Sequence, residues 1–430
     1  MSSSAYSLFI VTNFAYGTGP YLRTTDLAIS FNDALEKVGH ERMGIIVPWV
    51  YGEKQKRVML EEFTEHEKKY SGEIMFDKKL GELLRSIFYA DSTYEEALSA
   101  WVKNYREVSL HAYQHLSFDV EVETFGGEKR IIDGTKIAVE LSRSPRLRYN
   151  VAPSYVTSFA NVADILERAQ AIPEIAVDHE LLKQGVKAAE WVERNQKMRC
   201  VAWPATFGYL CPNFSDSCHS RESGNPDYNK EKFGFSRPKS GMTEMIGDMS
   251  CVDKGRYYDE IFVPPIAPPP QPNNAEIEKG IFVTITGIPG LERLYQDAKR
   301  LGLKLYSNDT DAVPESIYMS PHVIPNKNII CQFARAGWSS IWISMISGTP
   351  LVVPDFDSHD DPEIYFNNRS VEELGLGIVY RGQPFEKILE QVPRIKKSSE
   401  NVKKQILDKW GTIDGNRHCA KMFVDDFLKK

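Results

Sequence analysis

Cys331-Gln332-Phe333-Ala334-Arg335-Ala336-Gly337-Trp338-Ser339-Ser340-Ile341-Trp342-Ile343-Ser344-Met345-Ile346-Ser347-Gly348-Thr349-Pro350-Leu351-Val352-Val353-Pro354 reads as a strand, a glycine turn, a helix, a glycine stop and a second strand. The apolar run Ile329–Phe333 supplies the first strand, and the helix is expected from about Ser339 to Ser347. Gly348 ends that helix and Pro350 forces the exit into Leu351–Val353. Gly337 permits close backbone approach. Ser339 and Ser340 place hydroxyls beside the free N–H groups and positive dipole end of a helix start, which together make a phosphate site. The alternative for Ser339 is a simple N-cap.

The same rhythm recurs on both sides. Leu8–Val11 reads as a strand, Asp26–Val38 as a helix and Met43–Val47 as a strand; later come Ile281–Thr286, the helix Leu291–Leu301 and Leu303–Tyr306. Short β-rich runs alternating with helical patterns predict parallel sheets built from βαβ units. A chain of 430 residues exceeds what one core holds, since cores stop growing near ~250–300 residues, so it must divide. Six prolines in the nine positions 264–272 mark the division, because such a run continues neither a helix nor a central strand. The expected organisation is an N-terminal domain over 1–263, a linker over 264–278 and a C-terminal domain over 279–430. Within the first domain, residues 53–115 read as a helical insertion and 212–256 as a long loop. Phe385 to Lys430 reads as helices, the last packing back on the first domain. The fold class expected is α/β, with two Rossmann-like parallel-sheet domains facing a cleft. In such sheets ligands collect beyond the carboxyl ends of the strands, where strand order reverses.

Composition narrows the function. A net charge of −7 leaves no basic footprint, so nucleic acid is not an expected partner. Tyr6–Val11 lacks a basic leader and reads as a buried strand rather than a signal peptide, and no apolar run reaches the ~18 residues a membrane span needs. Six sparse cysteines suit a reducing compartment, so a cytoplasmic location is expected. Lys54, Lys56 and Arg57 open the insertion with a basic cluster suited to peripheral contact at the inner face of a membrane, although Glu61, Glu62, Glu65 and Glu67 soon cancel it. Cys211, Cys218, His219 and Cys251 lack the spacing of a zinc site, and His111 and His115, spaced i, i+4 on a helix, have no evident third ligand. Asp355, Asp357, His359, Asp360 and Asp361 read as a polar loop. No metal and no cofactor are expected.

The 331–354 segment resembles the donor-binding signature of nucleotide-sugar glycosyltransferases of the two-Rossmann GT-B fold. The natural-product and glucuronosyl branch has a Gly-Trp-Asn-Ser turn followed by a proline at the spacing from Gly337 to Pro350. Glu363, Asn367 and Glu373-Leu374-Gly375-Leu376-Gly377 are similar to its continuation. The resemblance implies a nucleoside-diphosphate sugar as substrate, a UDP-sugar first. It places the diphosphate on Gly337, Ser339 and Ser340 and sugar hydroxyls on Glu363. Two departures stand out. Ile343 occupies the position where that branch has a ribose-binding glutamate, and Arg335 and Ile343 occupy the two glutamate positions of the retaining branch. Arg335 is then either a bidentate clamp on the diphosphate or a surface salt bridge. Thr286, Gly287 and Gly290, after the strand Ile281–Thr286, are expected to line the donor phosphates or sugar, or else to form a simple turn.

In the first domain the loop Gly17-Thr18-Gly19 leads into Arg23 and Asp26. GT-B enzymes place a loop contacting acceptor and donor here, and many inverting members have a histidine base in it; this chain has none. Asp26 is therefore the base candidate, against a plain first-turn helix charge, and Arg23 a phosphate ligand. The stretch Gly44-Ile45-Ile46-Val47-Pro48-Trp49-Val50-Tyr51-Gly52-Glu53-Lys54-Gln55 is similar to digalactosyldiacylglycerol synthases, which implies a glycolipid acceptor. Trp49 and Tyr51 offer flat apolar faces for sugar rings, or else pack beneath the insertion. The functions implied are glycosyl transfer to a lipid or glycan, epimerisation of a nucleotide sugar on the same fold, or an inert GT-B binding subunit.

Overall fold

Gly44–Pro48 and Ile74–Asp77 are buried at every position, as strands covered by helices on both faces must be. The computed structural model describes residues 6–13, 18–85, 93–142, 162–173, 175–195, 200–202, 264, 268–284 and 292–428. Its first compact unit contains β1 (Phe9–Asn13), α1 (Thr18–Lys37), β2 (Gly44–Pro48), α2 (Gly52–Glu62), α3 (Thr64–Lys69) and β3 (Ile74–Asp77). It continues with α4 (Lys78–Arg85), α5 (Tyr94–Leu116), β4 (Asp119–Thr124), β5 (Lys129–Asp133) and β6 (Ile137–Ser142). After these come α6 (Val162–Ala169), α7 (His179–Asn195) and β7 (Cys200–Ala202). The seven strands run in the order β5-β4-β3-β2-β1-β6-β7. Five are parallel, and the β4–β5 hairpin closes one edge antiparallel. In β4 buried and more exposed residues alternate, as an antiparallel edge with one wet face should.

The second unit runs from Pro268 to Asp414. It contains β8 (Gly280–Val283), α8 (Glu292–Arg300), β9 (Lys304–Ser307), β10 (Ile317–Tyr318) and β11 (Ile329–Phe333). Then follow α9 (Trp338–Ser347), β12 (Leu351–Pro354), α10 (Pro362–Glu373), β13 (Gly377–Tyr380) and α11 (Phe385–Trp410). Its sheet is parallel throughout, in the order β10-β9-β8-β11-β12-β13. Side chains of β8 alternate between two cores. Ile281 and Val283 pack with Phe333, Phe385 and Ile388, while Phe282 packs with Tyr306, Val323 and Ile329. The last helix, α12 (Gly415–Leu428), belongs to the first unit and packs on α1, with the Phe31 and Phe427 rings edge to face at 5.9 Å. Both sheets are Rossmann-like, so the fold is α/β of the GT-B kind.

The stretch 53–115, expected as a helical insertion, holds the helices α2, α3, α4 and most of α5, and between them β3, an interior strand of the sheet. Its four residues are too few to stand out among the flanking charges. The glycine loop before Asp26 is also shorter than expected: α1 starts at Thr18, so Thr18 and Gly19 form its first turn. Gly17, Thr286, Gly287, Gly290, the loop 212–256 and Cys211, Cys218, His219 and Cys251 lie outside the described residues. Past Pro270 the linker has no regular structure, and the second unit pins it by hydrogen bonds. Asn326 Nδ2 donates to Asn273 Oδ1 at 3.1 Å and to the Ala275 carbonyl at 2.8 Å, and Asn328 Nδ2 to the Ile277 carbonyl at 2.7 Å. Among the described residues, no helix is long and apolar enough to cross a membrane, and no group of three or more His, Cys, Asp or Glu is placed to hold a metal ion.

A charged knot ties the N-terminal ends of β2 and β3 to α1. The fully buried Glu73 accepts from Arg42 Nε at 2.6 Å, Arg42 Nη2 at 3.0 Å and Asn32 Nδ2 at 3.0 Å, and His66 Nε2 lies 3.0 Å away. Burial pushes the Glu73 carboxyl up, but the hydrogen bonds from His66 and Arg42 outweigh it and hold it below the ordinary carboxylate range. A carboxyl depressed in the folded state contributes stability above its unfolded pKa, and that contribution is lost as pH falls through the folded value. Arg42→Ala leaves this charge buried without its guanidinium and is expected to cost about 3–5 kcal/mol in urea unfolding near pH 7. The cost should shrink towards acid pH as Glu73 protonates; a loss independent of pH would show that packing, not charge, is what Arg42 supplies.

Candidate functional site

In the second sheet the chain steps outward from β8 to β9 and β10, then returns to lay β11 on the other side of β8 and continues to β12 and β13. Strand order therefore reverses between β8 and β11, and the crevice beyond their carboxyl ends is where such a sheet binds ligands. Thr284 fastens the two strand ends, its N–H and Oγ1 both donating to the Phe333 carbonyl at 3.0 and 2.9 Å. From β11 the chain passes through Ala334, Arg335 and Ala336 to Gly337, the N-cap of α9.

Gly337 has φ −72° and ψ 146°, a conformation open to any residue, and a Cβ built there would find its nearest neighbour, the Arg335 carbonyl oxygen, at 3.9 Å. Neither backbone strain nor packing requires glycine. Its effect is to leave the helix start without a capping side chain and with room for a ligand against the backbone. The first turn contains no acidic residue, so its N–H groups and the dipole favour an anion. Because α9 begins at Trp338, Ser339 and Ser340 are its second and third residues rather than its cap. The buried Ser344 Oγ, donating to Gln332 Oε1 at 2.6 Å, anchors the helix to β11.

The segment after β12 brings further groups to this turn. Asn367 Nδ2 donates to the Ala336 carbonyl at 2.8 Å and to Glu363 Oε1 at 3.3 Å, so the buried Glu363 is tethered beside the glycine turn. Asp361 caps α10 by accepting from the Glu363 N–H at 2.9 Å. Asn368 donates to the Pro354 carbonyl at 3.0 Å, while its Oδ1 is buried without a protein partner. Arg335 is engaged by Asp360: Nε meets Oδ2 at 3.0 Å, and Nη2 meets Oδ1. Burial pushes the Asp360 carboxyl above its ordinary value despite the opposing pull of Arg335. Ile343 packs against the cluster of Phe282, Tyr306, Val323, Ile324 and Ile329, so this helix position serves the core. Gly337, Ser339, Ser340, Arg335 and Glu363 thus lie on the two segments that these bonds join, through Asp360 and Asn367, which the sequence reading named without pairing them. Nothing local marks a pairing across 25 or 31 residues.

In the first unit the candidates are placed differently. Arg23 and Asp26 pair with each other at 2.6 Å on α1, and Glu62 lies 3.6 Å from the same guanidinium. The charge expected to bind phosphate already has carboxylate partners, and the base candidate Asp26 is held in an ion pair. Trp49 is buried, 5.8 Å from the Phe76 ring, with the Lys78 and Lys56 ammonium groups 4.3 and 5.3 Å from its ring centre. It packs beneath its neighbours rather than offering an open face. Tyr51 is half-buried, edge-on to Tyr21 at 6.3 Å. At the carboxyl end of β3, His115 Nε2 lies 2.7 Å from Oδ2 of the fully buried Asp77, whose Oδ1 accepts from the Leu80 N–H at 2.9 Å. A carboxylate so fixed orients an imidazole and selects its tautomer. The i, i+4 spacing of His111 and His115 was the sequence signal here, and it says nothing of Asp77.

No family model matches the chain, and no curated protein matches it in sequence. Among solved structures it is similar to UDP-glucose: anthocyanidin 3-O-glucosyltransferase in complex with UDP, with a TM-score of 0.50 over 99% of both chains at 12% identity. Two others are the glycotransferase of kitacinnamycin (TM-score 0.46, 12% identity, 97% of this chain and 98% of that one) and SnogD from Streptomyces nogalater (TM-score 0.43, 13% identity, 98% of both). At these identities the likeness is one of fold.

Two glycines separate binding from folding. Gly337→Ala should cost about 1 kcal/mol or less in thermal unfolding, since alanine fits there and only caps less well. At Gly377, which opens β13, a Cβ would lie 2.4 Å from the Leu351 carbonyl oxygen. Gly377→Ala should cost about 3 kcal/mol through overpacking. Equal losses at the two positions would mean that Gly337 has a structural duty after all.

Proposed function

We propose that this chain transfers a sugar from a nucleoside-diphosphate donor to an acceptor, with the C-terminal unit holding the donor and the N-terminal unit presenting the acceptor. The observation that carries the proposal is the start of α9: an uncapped helix end, opened by a glycine the fold itself does not need, at the strand-order reversal of a parallel sheet. Diphosphate oxygens take hydrogen bonds from the backbone N–H groups of Trp338 and Ser339 and from the Ser339 and Ser340 hydroxyls, the Ser340 N–H being turned back to the Gly337 carbonyl at 3.0 Å. Glu363 takes donor hydroxyls. Negative charge builds on the leaving diphosphate as the glycosidic bond breaks, so donors aimed at it lower the barrier by electrostatics and position. UDP is the first nucleotide to test, because a structural neighbour was solved with UDP bound.

His115, oriented by Asp77, is a better-formed candidate than Asp26 for removing a proton from the acceptor, since Asp26 is occupied by Arg23. The acceptor class proposed is a lipid or glycan hydroxyl, reached from the cytoplasm or the inner membrane face. A second function, an inert GT-B binding subunit, draws on Arg335 being paired and Ile343 serving the core.

Isothermal titration with UDP and a donor-hydrolysis assay with UDP-glucose separate the two. The enzyme should bind UDP and release it from UDP-glucose, and Ser340→Ala should weaken UDP about five- to tenfold without altering the thermal midpoint. UDP binding without turnover of any nucleotide sugar would favour the inert subunit. No binding of any nucleoside diphosphate would overturn the donor site.

A further inference from the structure

A cation beside the proposed phosphate site is already held by an anion of the same chain. Arg335 stands two residues before the N-cap of α9, and its guanidinium is clasped by both carboxylate oxygens of Asp360. That carboxylate is fixed in place by its own loop. The Asp361 N–H donates to Asp360 Oδ1 at 2.7 Å, and the Asp360 N–H donates to the Asp357 carbonyl at 2.9 Å. The two side chains are nonetheless 43% and 29% exposed, so water and solutes reach the pair. A planar carboxylate bridging a guanidinium has the geometry that two phosphate oxygens would adopt there. Exposed ion pairs contribute little net stability, so exchanging one anion for another at this guanidinium is cheap. Burial also disfavours the charged form of Asp360, which makes the carboxylate a weak competitor.

From this juxtaposition, and resting on the donor site proposed above, we infer that Asp360 is a built-in counter-anion of Arg335 that the donor's diphosphate displaces on binding and that retakes the guanidinium as the diphosphate leaves. Asp360 is therefore a positioning residue that sets how tightly the site holds the nucleoside diphosphate. It weakens product binding at equilibrium and gives the departing diphosphate a competitor, so release is faster than the helix end and the cation together would allow. No bond to the ligand is required of Asp360; its action runs through Arg335.

The test uses the full chain with UDP and inorganic pyrophosphate as probes, by isothermal titration and stopped-flow displacement. Asp360→Asn should bind both about fivefold or more tightly, with the gain in a slower release rate. Asp360→Ser serves as a second variant in case the amide perturbs the loop, and both should keep the parent thermal midpoint. Arg335→Ala should bind more weakly than the parent, and adding Asp360→Asn to it should change nothing further. Equal tightening in the Arg335→Ala background would overturn exchange, because Asp360 would then act only as a distant like charge. Weaker binding by Asp360→Asn would also overturn it, because Asp360 would then hold Arg335 ready for the ligand. If the parent chain binds neither probe, the donor site itself falls, a result distinct from either of these.

Discussion

At the start of α9 the Ser340 N–H turns back to the Gly337 carbonyl at 3.0 Å, which leaves the N–H groups of Trp338 and Ser339, and glycine supplies them no side-chain acceptor. Much of the second unit is arranged around that deficit. Parallel strands need crossover connections, usually helical, and the order of this sheet reverses between β8 and β11. The helix that follows β11 therefore starts beside the crevice at that reversal. Thr284 fixes the two strand ends and Ser344 fixes the helix to β11, while Asn367 ties α10 to the Ala336 carbonyl. These bonds hold the uncapped turn against fraying.

What sequence could show here was local. The order strand, glycine, helix, glycine, proline and strand was legible within a residue or so of the observed bounds, because apolar runs, a left-handed Gly348 and Pro350 each act on their own neighbours. In the first unit the signals were weaker. β3 is four residues long, and the β4–β5 hairpin lies among charges that resemble a helical surface. The start of α1 was placed eight residues late, at Asp26 instead of Thr18, because Gly17 and Gly19 read as a loop. Pro20, which a first helical turn tolerates, was the overlooked cue.

Side-chain partners were harder still. Ile343 stands at a position expected to hold a ribose, and only the packing shows that this face of α9 belongs to the core beside Phe282 and Ile329. Arg23 and Arg335 stood out in the sequence as cations, and both are paired, with Asp26 and Asp360, as is Arg42 with Glu73. An acidic chain surrounds its cations with carboxylates. A phosphate ligand must then either compete for a paired arginine or rely on groups that carry dipoles instead of charges, and the α9 turn offers the second kind.

A crystal structure with UDP tests the central claim most directly. The diphosphate should lie against the backbone N–H groups of Trp338 and Ser339 and the Ser339 and Ser340 hydroxyls, with Gly337 beneath it. A diphosphate bound elsewhere, with the α9 turn untouched, would contradict it.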